Sequence, residues 1–101
     1  MYTLHIEHPI SDFEVWSAAF ARFAPLRQSA GVRSQTVRRP LDDPHYVSVD
    51  LDFDSPDRAE AFLQTLRTRV WASPTASPAL AGDPVTRILV TADSPALNSA
   101  P

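Results

Sequence analysis

The sequence predicts an α+β fold in which two helices lie on one side of a four-stranded antiparallel sheet, in the element order βαββαβ. Three observations lead to it. Tyr2 to Glu7 and His45 to Phe53 alternate apolar and polar residues at the period of a half-buried strand. Each is followed, after a capping signal, by a segment whose apolar residues recur at helical spacing. Two further strand-like stretches, Val32 to Arg39 and Val85 to Thr91, complete the set.

In the first strand Tyr2, Leu4 and Ile6 share one face, and Thr3, His5 and Glu7 the other. Pro9 is expected to end its pairing. Ser11, with Glu14 three residues on, has capping-box spacing and is expected to begin the first helix. Phe13, Trp16, Phe20 and Phe23 fall at offsets of 3, 7 and 10 and give that helix an apolar face. Pro25 lacks the N–H that a helix interior needs, so the helix should break near Ala24 and continue as a second piece. Gly31 is placed to cap its end, with Arg27 in the last turn.

Val32 to Arg39 is polar on both faces and reads as an edge strand. Pro40 to Pro44, PLDDP, is turn chemistry. In the next strand His45, Val47, Val49, Leu51 and Phe53 form the core side, and Tyr46, Ser48, Asp50 and Asp52 the polar side. Ser55 and Pro56 are an N-cap and a preferred first residue for the second helix, whose stripe is Ala59, Phe62, Leu63, Leu66 and Val70. Residues 72 to 84 are rich in Pro and Ser and should form a long loop, with one helical turn near Pro78 to Ala81. The domain is expected to span residues 1–92, followed by a frayed tail at 93–101. A right-handed crossover then sets the strand order 4-1-3-2, the ferredoxin-like arrangement.

Composition narrows the functions this fold could carry. All nine basic residues are arginine, and twelve carboxylates leave a net charge of -3. An acidic chain without basic runs is unsuited to nucleic acid or anionic membranes, whose affinity comes from cationic contacts. The chain has no cysteine, which removes disulfides, thiolate metal sites and cysteine nucleophiles. No stretch approaches a membrane span and no secretory signal is evident, so a cytoplasmic location is expected. Nucleophile-elbow, phosphate-loop and dinucleotide motifs are all missing.

With both helices on one side, the other face of the sheet would carry His5, Glu7, Tyr46, Ser48, Asp50 and Asp52. Leu89, or else Ile88 and Val90, would add apolar area from the last strand. A face of this mixture can stay wet, bind a ligand or pack on a second copy, and small domains frequently adopt the last solution.

The phrase HPISDFEVWSAAF, then Arg27 and Gly31, VRRPLDDPHYVSVDLDF and the AxxF segment at Ala59 to Phe62, resembles the dimeric α/β-barrel proteins related to the antibiotic biosynthesis monooxygenases. The resemblance covers residues 2 to 92 and is most specific at His8, Asp12, Trp16, Phe20, Arg27 and Gly31. It implies a homodimer with a cavity beneath the helices or inside the joint barrel. It also implies cofactor-independent monooxygenase or cyclase activity on a small apolar or aromatic molecule, without a prosthetic group.

The individual residues leave alternatives open. His8, at the mouth of the sheet, is a candidate proton carrier or a histidine bonded to a turn. Arg27 is a candidate anchor for a carboxylate or phenolate, or a helix C-terminal cation. Trp16, Phe20 and Phe23 are either core or the wall of an aromatic pocket. Tyr46, Asp50 and Asp52 are candidates for substrate contact and acid–base chemistry, or for intersubunit hydrogen bonds. His5, His8 and His45 do not have metal-site spacing, and no metal is expected. Beside the enzymatic expectation stands a non-catalytic ligand-binding or assembly protein that uses the sheet face only to dimerise.

Overall fold

A computed structural model describes residues 1–93; the tail expected from residue 93 lies, after that residue, outside them. The strands are β1 (Tyr2–Pro9), β2 (Ser34–Arg38), β3 (Tyr46–Phe53) and β4 (Val85–Val90). They form one antiparallel sheet in the order β2-β3-β1-β4, which is 4-1-3-2 read from the opposite edge. The helices are α1 (Phe13–Arg22), α2 (Ala24–Ala30) and α3 (Pro56–Thr65), the last running into a π-helical turn at Leu66–Val70. The fold is therefore ferredoxin-like α+β.

Alternation dictates the core. Leu4, Ile6, Val47, Val49, Leu51 and Phe53 are all under 5% exposed on the helix side of the central strands. Ala59, Phe62 and Leu63 of α3 close over them, with the Phe53 and Phe62 rings 6.0 Å apart. α1 is seated differently. Only Ala19 is buried, while Phe13, Trp16 and Phe20 stack in a half-buried ladder with ring centroids 5.9 and 4.8 Å apart.

The helix ends explain how α1 and α2 are set. The cap is Asp12 and not Ser11: its carboxylate accepts from the Val15 N–H at 2.9 Å, while Ser11 is engaged through its own N–H with Ala79 O. Pro25 stops α1 and starts α2, since it falls in the first turn, where no N–H is required. Gly31 ends α2 at φ 91°, a left-handed conformation that a Cβ disfavours, and its N–H caps the Arg27 and Gln28 carbonyls.

Two expectations about the loops need correction. Pairing does not stop before Pro9: Pro9 still faces Tyr46, and the Ile10 N–H donates to His45 O at 2.9 Å. Residues 78–81 contain a single hydrogen-bonded turn, closed by Leu80 N–H to Ser77 O at 3.3 Å, and no helix; they continue into an added bridge, Ile10 with Leu80, flanked by Ser11 N–H to Ala79 O and Ala81 N–H to Pro9 O. One carbonyl and one N–H of the strap, Ala79 O and Ala81 N–H, thus pair with the backbone of residues 9–11 at the sheet edge beyond β4.

Candidate functional site

A cavity of about 70 Å³ lies between the helices and the sheet. Its floor is Ile6, His8, Val49 and Leu51; Trp16, Phe20 and Phe23 of the first helical segment form one wall, and Leu66, Val70 and Trp71 another. The strap at residues 76–80 closes the end, held by the Ser77 hydroxyl, which lies 2.7 Å from Val70 O. The π-helical turn contributes directly: the Trp71 N–H reaches Leu66 O at 2.7 Å, adding a residue to the turn beside the cavity. Leu66, Val70 and Trp71 all reach the wall from this wider turn.

His8 continues the inward row of Leu4 and Ile6 and is 3% exposed. Its Nδ1 is 2.9 Å from Pro9 O, and a carbonyl only accepts, so Nδ1 carries the proton and Nε2 of the neutral ring is the free base. Burial lowers its pKa from the ordinary 6.5, against an opposing pull from the Pro9 carbonyl. The ring is therefore uncharged at neutral pH. It faces Trp16 with 6.4 Å between centroids, and Nε2, without a hydrogen-bond partner among the described residues, keeps accessible surface.

Arg27 is 6% exposed, although it stands near the end of a short helix where an arginine ordinarily reaches for solvent. The break at Pro25 turns α2 so that Nη1 donates to Phe20 O at 2.7 Å, a carbonyl in the last turn of α1 that also accepts from the Phe23 N–H at 3.2 Å. Nε donates to Gln35 Oε1 at 2.8 Å, and the guanidinium carbon lies 3.7 Å from the Phe20 ring centroid. Burial lowers its pKa from 12.5, but a guanidinium does not deprotonate in the working range, so it remains the charged group of the cavity.

The structure brings His8, Arg27, Trp16, Phe20 and Phe23 to one cavity and leaves Tyr46 and Asp50 on the opposite face of the sheet. There the Tyr46 hydroxyl donates to Glu7 at 2.9 Å, and His5 lies between Glu7 at 2.8 Å and Asp50 at 2.7 Å. Both ring nitrogens of His5 meet carboxylates, chiefly Glu7 and then Asp50, which raises its pKa above 6.5. Hydrogen bonds from His5 and Tyr46 lower the pKa of Glu7, and the same Glu7 contact raises that of Tyr46. Asp52 is lowered by Ser34 and Thr3. Register settles the contribution of β4: Val85, Arg87 and Leu89 lie opposite Glu7, His5 and Thr3 on this face, while Ile88 pairs with Leu4 toward the helices. The three histidines are not gathered, since His45 is exposed in the turn before β3.

Sequence reasoning missed Gln35, Trp71 and Ser77. Alternation along β2 does place Gln35 on the helix side, opposite Leu51, but a polar edge strand gave no reason to look there. Trp71 extends the α3 stripe only through the wider π-helical turn.

No protein-family model matches the chain, and no curated protein matches it in sequence. Solved structures do. SnoaB of Streptomyces nogalater, a cofactor-independent oxygenase, superimposes with a TM-score of 0.64 over 97% of each chain at 17% identity. A protein of Bordetella bronchiseptica proposed to be an antibiotic biosynthesis monooxygenase gives 0.70 over 89% of this chain and 96% of that one, also at 17% identity. The fold is that of the antibiotic biosynthesis monooxygenases. A dimeric ferredoxin-like protein from an uncultured marine organism matches at 0.68 and 13% identity, over 92% of this chain and 96% of its own. The chain is thus ABM-like in architecture, and identities this low speak for the fold alone.

Proposed function

We propose that this ABM-like protein is a cytoplasmic homodimer that binds a small apolar or aromatic molecule in the cavity beneath α1 and catalyses cofactor-independent oxygenation or a related cyclisation. The observation that carries the reading is His8, whose Nδ1 proton is committed to Pro9 O while Nε2 has no hydrogen-bond partner among the described residues, in a cavity that the Arg27 guanidinium also lines. His8 Nε2 takes a proton from an acidic C–H of the ligand, and Arg27 stabilises the enolate oxygen that results. In the oxygenation the carbanion reduces dioxygen to a hydroperoxide, which loses water to leave a carbonyl; a methylene and one O₂ become a ketone and one water. Trp16, Phe20 and Phe23 hold the ring system of the ligand.

Size limits the ligand. An apolar cavity of about 150 Å³ admits benzene, and the space here is about 70 Å³. Binding of an aromatic molecule therefore requires the irregular strap at 72–84 to move outward. Tyr46 and Asp50 are assigned to the subunit interface, where the His5–Glu7–Tyr46 network and the exposed Val85 and Leu89 meet a second copy. The small cavity also favours a second reading, a ligand-binding or assembly protein without catalysis.

The two readings are separated by proton–deuterium exchange and dioxygen uptake with 2-indanone, a small aromatic ketone with acidic methylene protons. Catalysed exchange, corrected for the solvent rate, should rise with pH to a midpoint below 6.5 and stay flat above it. His8→Ala should lower it by about 100-fold or more. Exchange equal in His8→Ala and wild type would remove the base assignment, and no exchange with intact ligand binding would favour the second reading.

A further inference from the structure

We propose that the cavity is selective for a small monoanion, a molecule whose acidic oxygen is ionised when it binds, and that Gln35 sets this selectivity by holding Arg27 without neutralising it. The inference rests on the reading of the cavity as a ligand site, and asks what charge that ligand must bear.

The buried cation has no counter-ion. Two exposed arginines pair with carboxylates, Arg33 with Asp54 and Arg38 with Asp50, both at 2.9 Å. Arg27 forms no ion pair among the described residues, although it is the buried one. None of the residues that line the cavity is acidic, and His8 is neutral. The cavity therefore carries a single positive charge in apolar surroundings. A guanidinium so placed is costly unless an anion completes it, and removal of that anion leaves an uncompensated charge.

What holds Arg27 is uniformly neutral: the Gln35 amide oxygen, the Phe20 carbonyl and the Phe20 ring face. These partners fix two of the three guanidinium nitrogens, and Nη2, which has no protein partner among the described residues, is left accessible. A delocalised oxyanion is the complement of that remaining donor edge. Carboxylates, enolates and phenolates share this chemistry.

Gln35 is the decisive neighbour because glutamate would fit the same place. Residue 35 is exposed on the edge strand, so a carboxylate there would keep its contact with water while facing Arg27 Nε. It would supply internally the charge that the ligand otherwise brings. Glutamine retains the hydrogen bond and leaves the charge available.

The test uses the full chain and its own reporters, since the two tryptophans, Trp16 and Trp71, both line the cavity. Benzoate and the isosteric benzamide are titrated by tryptophan fluorescence, with butyrate and butyramide as a smaller pair followed by thermal shift. 4-Nitrophenol, whose visible absorption reports its ionisation, separates phenolate from carboxylate recognition. The acids should bind wild type on the order of tenfold tighter than their amides. Gln35→Glu should bring each pair to within about threefold while keeping or raising the melting temperature. Arg27→Gln should do the same to the preference. Equal binding of acid and amide by wild type, no binding of either pair, or an acid preference that survives Gln35→Glu overturns the proposal. Benzoate selectivity without exchange of 2-indanone protons leaves the anion site standing and removes the catalytic reading; exchange without anion preference does the reverse.

Discussion

Filling the cavity tests whether it is a packing fault or a site. Ala19 is 6% exposed on α1 and borders the cavity, so Ala19→Leu sends three additional carbon atoms into it. Cavity volume costs about 24 cal/mol per Å³, and over about 70 Å³ this comes to about 1.7 kcal/mol. The cavity is not sealed, so the figure is an upper bound. Overpacking in a tight core costs about 1–3 kcal/mol, but here the new atoms enter existing space. A domain of this size gains roughly 4–8 °C per kcal/mol, so Ala19→Leu should raise the melting temperature by several degrees and at most by about 14 °C. The same variant should bind benzoate at least tenfold more weakly, because stability and site occupy the same volume. Thermal denaturation gives the first quantity, urea denaturation the underlying free energy, and tryptophan fluorescence the binding. A loss of more than about 1 kcal/mol would show that Ala19 has no room to grow. A gain in stability with binding unchanged would show that the ligand goes elsewhere.

Two other predictions concern the frame. Asp12→Ala should cost about 1 kcal/mol through loss of the Val15 N–H acceptor, whereas Ser11→Ala should cost a few tenths, as a surface change does; equal losses in urea midpoints would restore Ser11 as the cap. His5, held between Glu7 and Asp50, binds its proton more tightly folded than unfolded. Its stabilisation is therefore complete below pH 6.5 and is lost as pH rises through the higher folded value. The stability difference between wild type and His5→Gln should shrink between pH 6 and pH 9, and a difference constant across that range would contradict the double carboxylate contact.

Much of the frame is legible in the sequence because local rules and burial agree there. The alternation of Val47, Val49, Leu51 and Phe53, the Ser55–Pro56 start and the Gly31 stop each follow from backbone geometry that few residues satisfy. The Pro25 break is equally plain, but its consequence is not. That it turns Arg27 inward depends on where α2 meets β2, a contact eight residues away in sequence and visible only in three dimensions. Ser11 with Glu14 imitated a capping box because Asp12, one position later, offers the same chemistry with better reach.

The candidate site divided along the sheet. Strand period alone places Tyr46 and Asp50 opposite to His8, yet residues close in sequence pattern and suited to acid–base chemistry invite a single site. The strap at 72–84 was recognisable as irregular from its prolines and serines, but nothing in those residues says that they close a cavity. Its position is set by the Ile10–Leu80 bridge, a pairing between positions with no periodic signal.

The central claim is that ligand and chemistry belong under the helices, beside His8 and Arg27. Isotope-filtered NMR of the protein with ¹³C-benzoate measures this most directly. The account predicts contacts from the ring protons to Trp16, Phe20 and His8, with the His8 Nε2 resonance shifting and Nδ1 remaining protonated. Contacts to Tyr46, Asp50 and His5 instead, with His8 unmoved, would place the site on the other face of the sheet and contradict it.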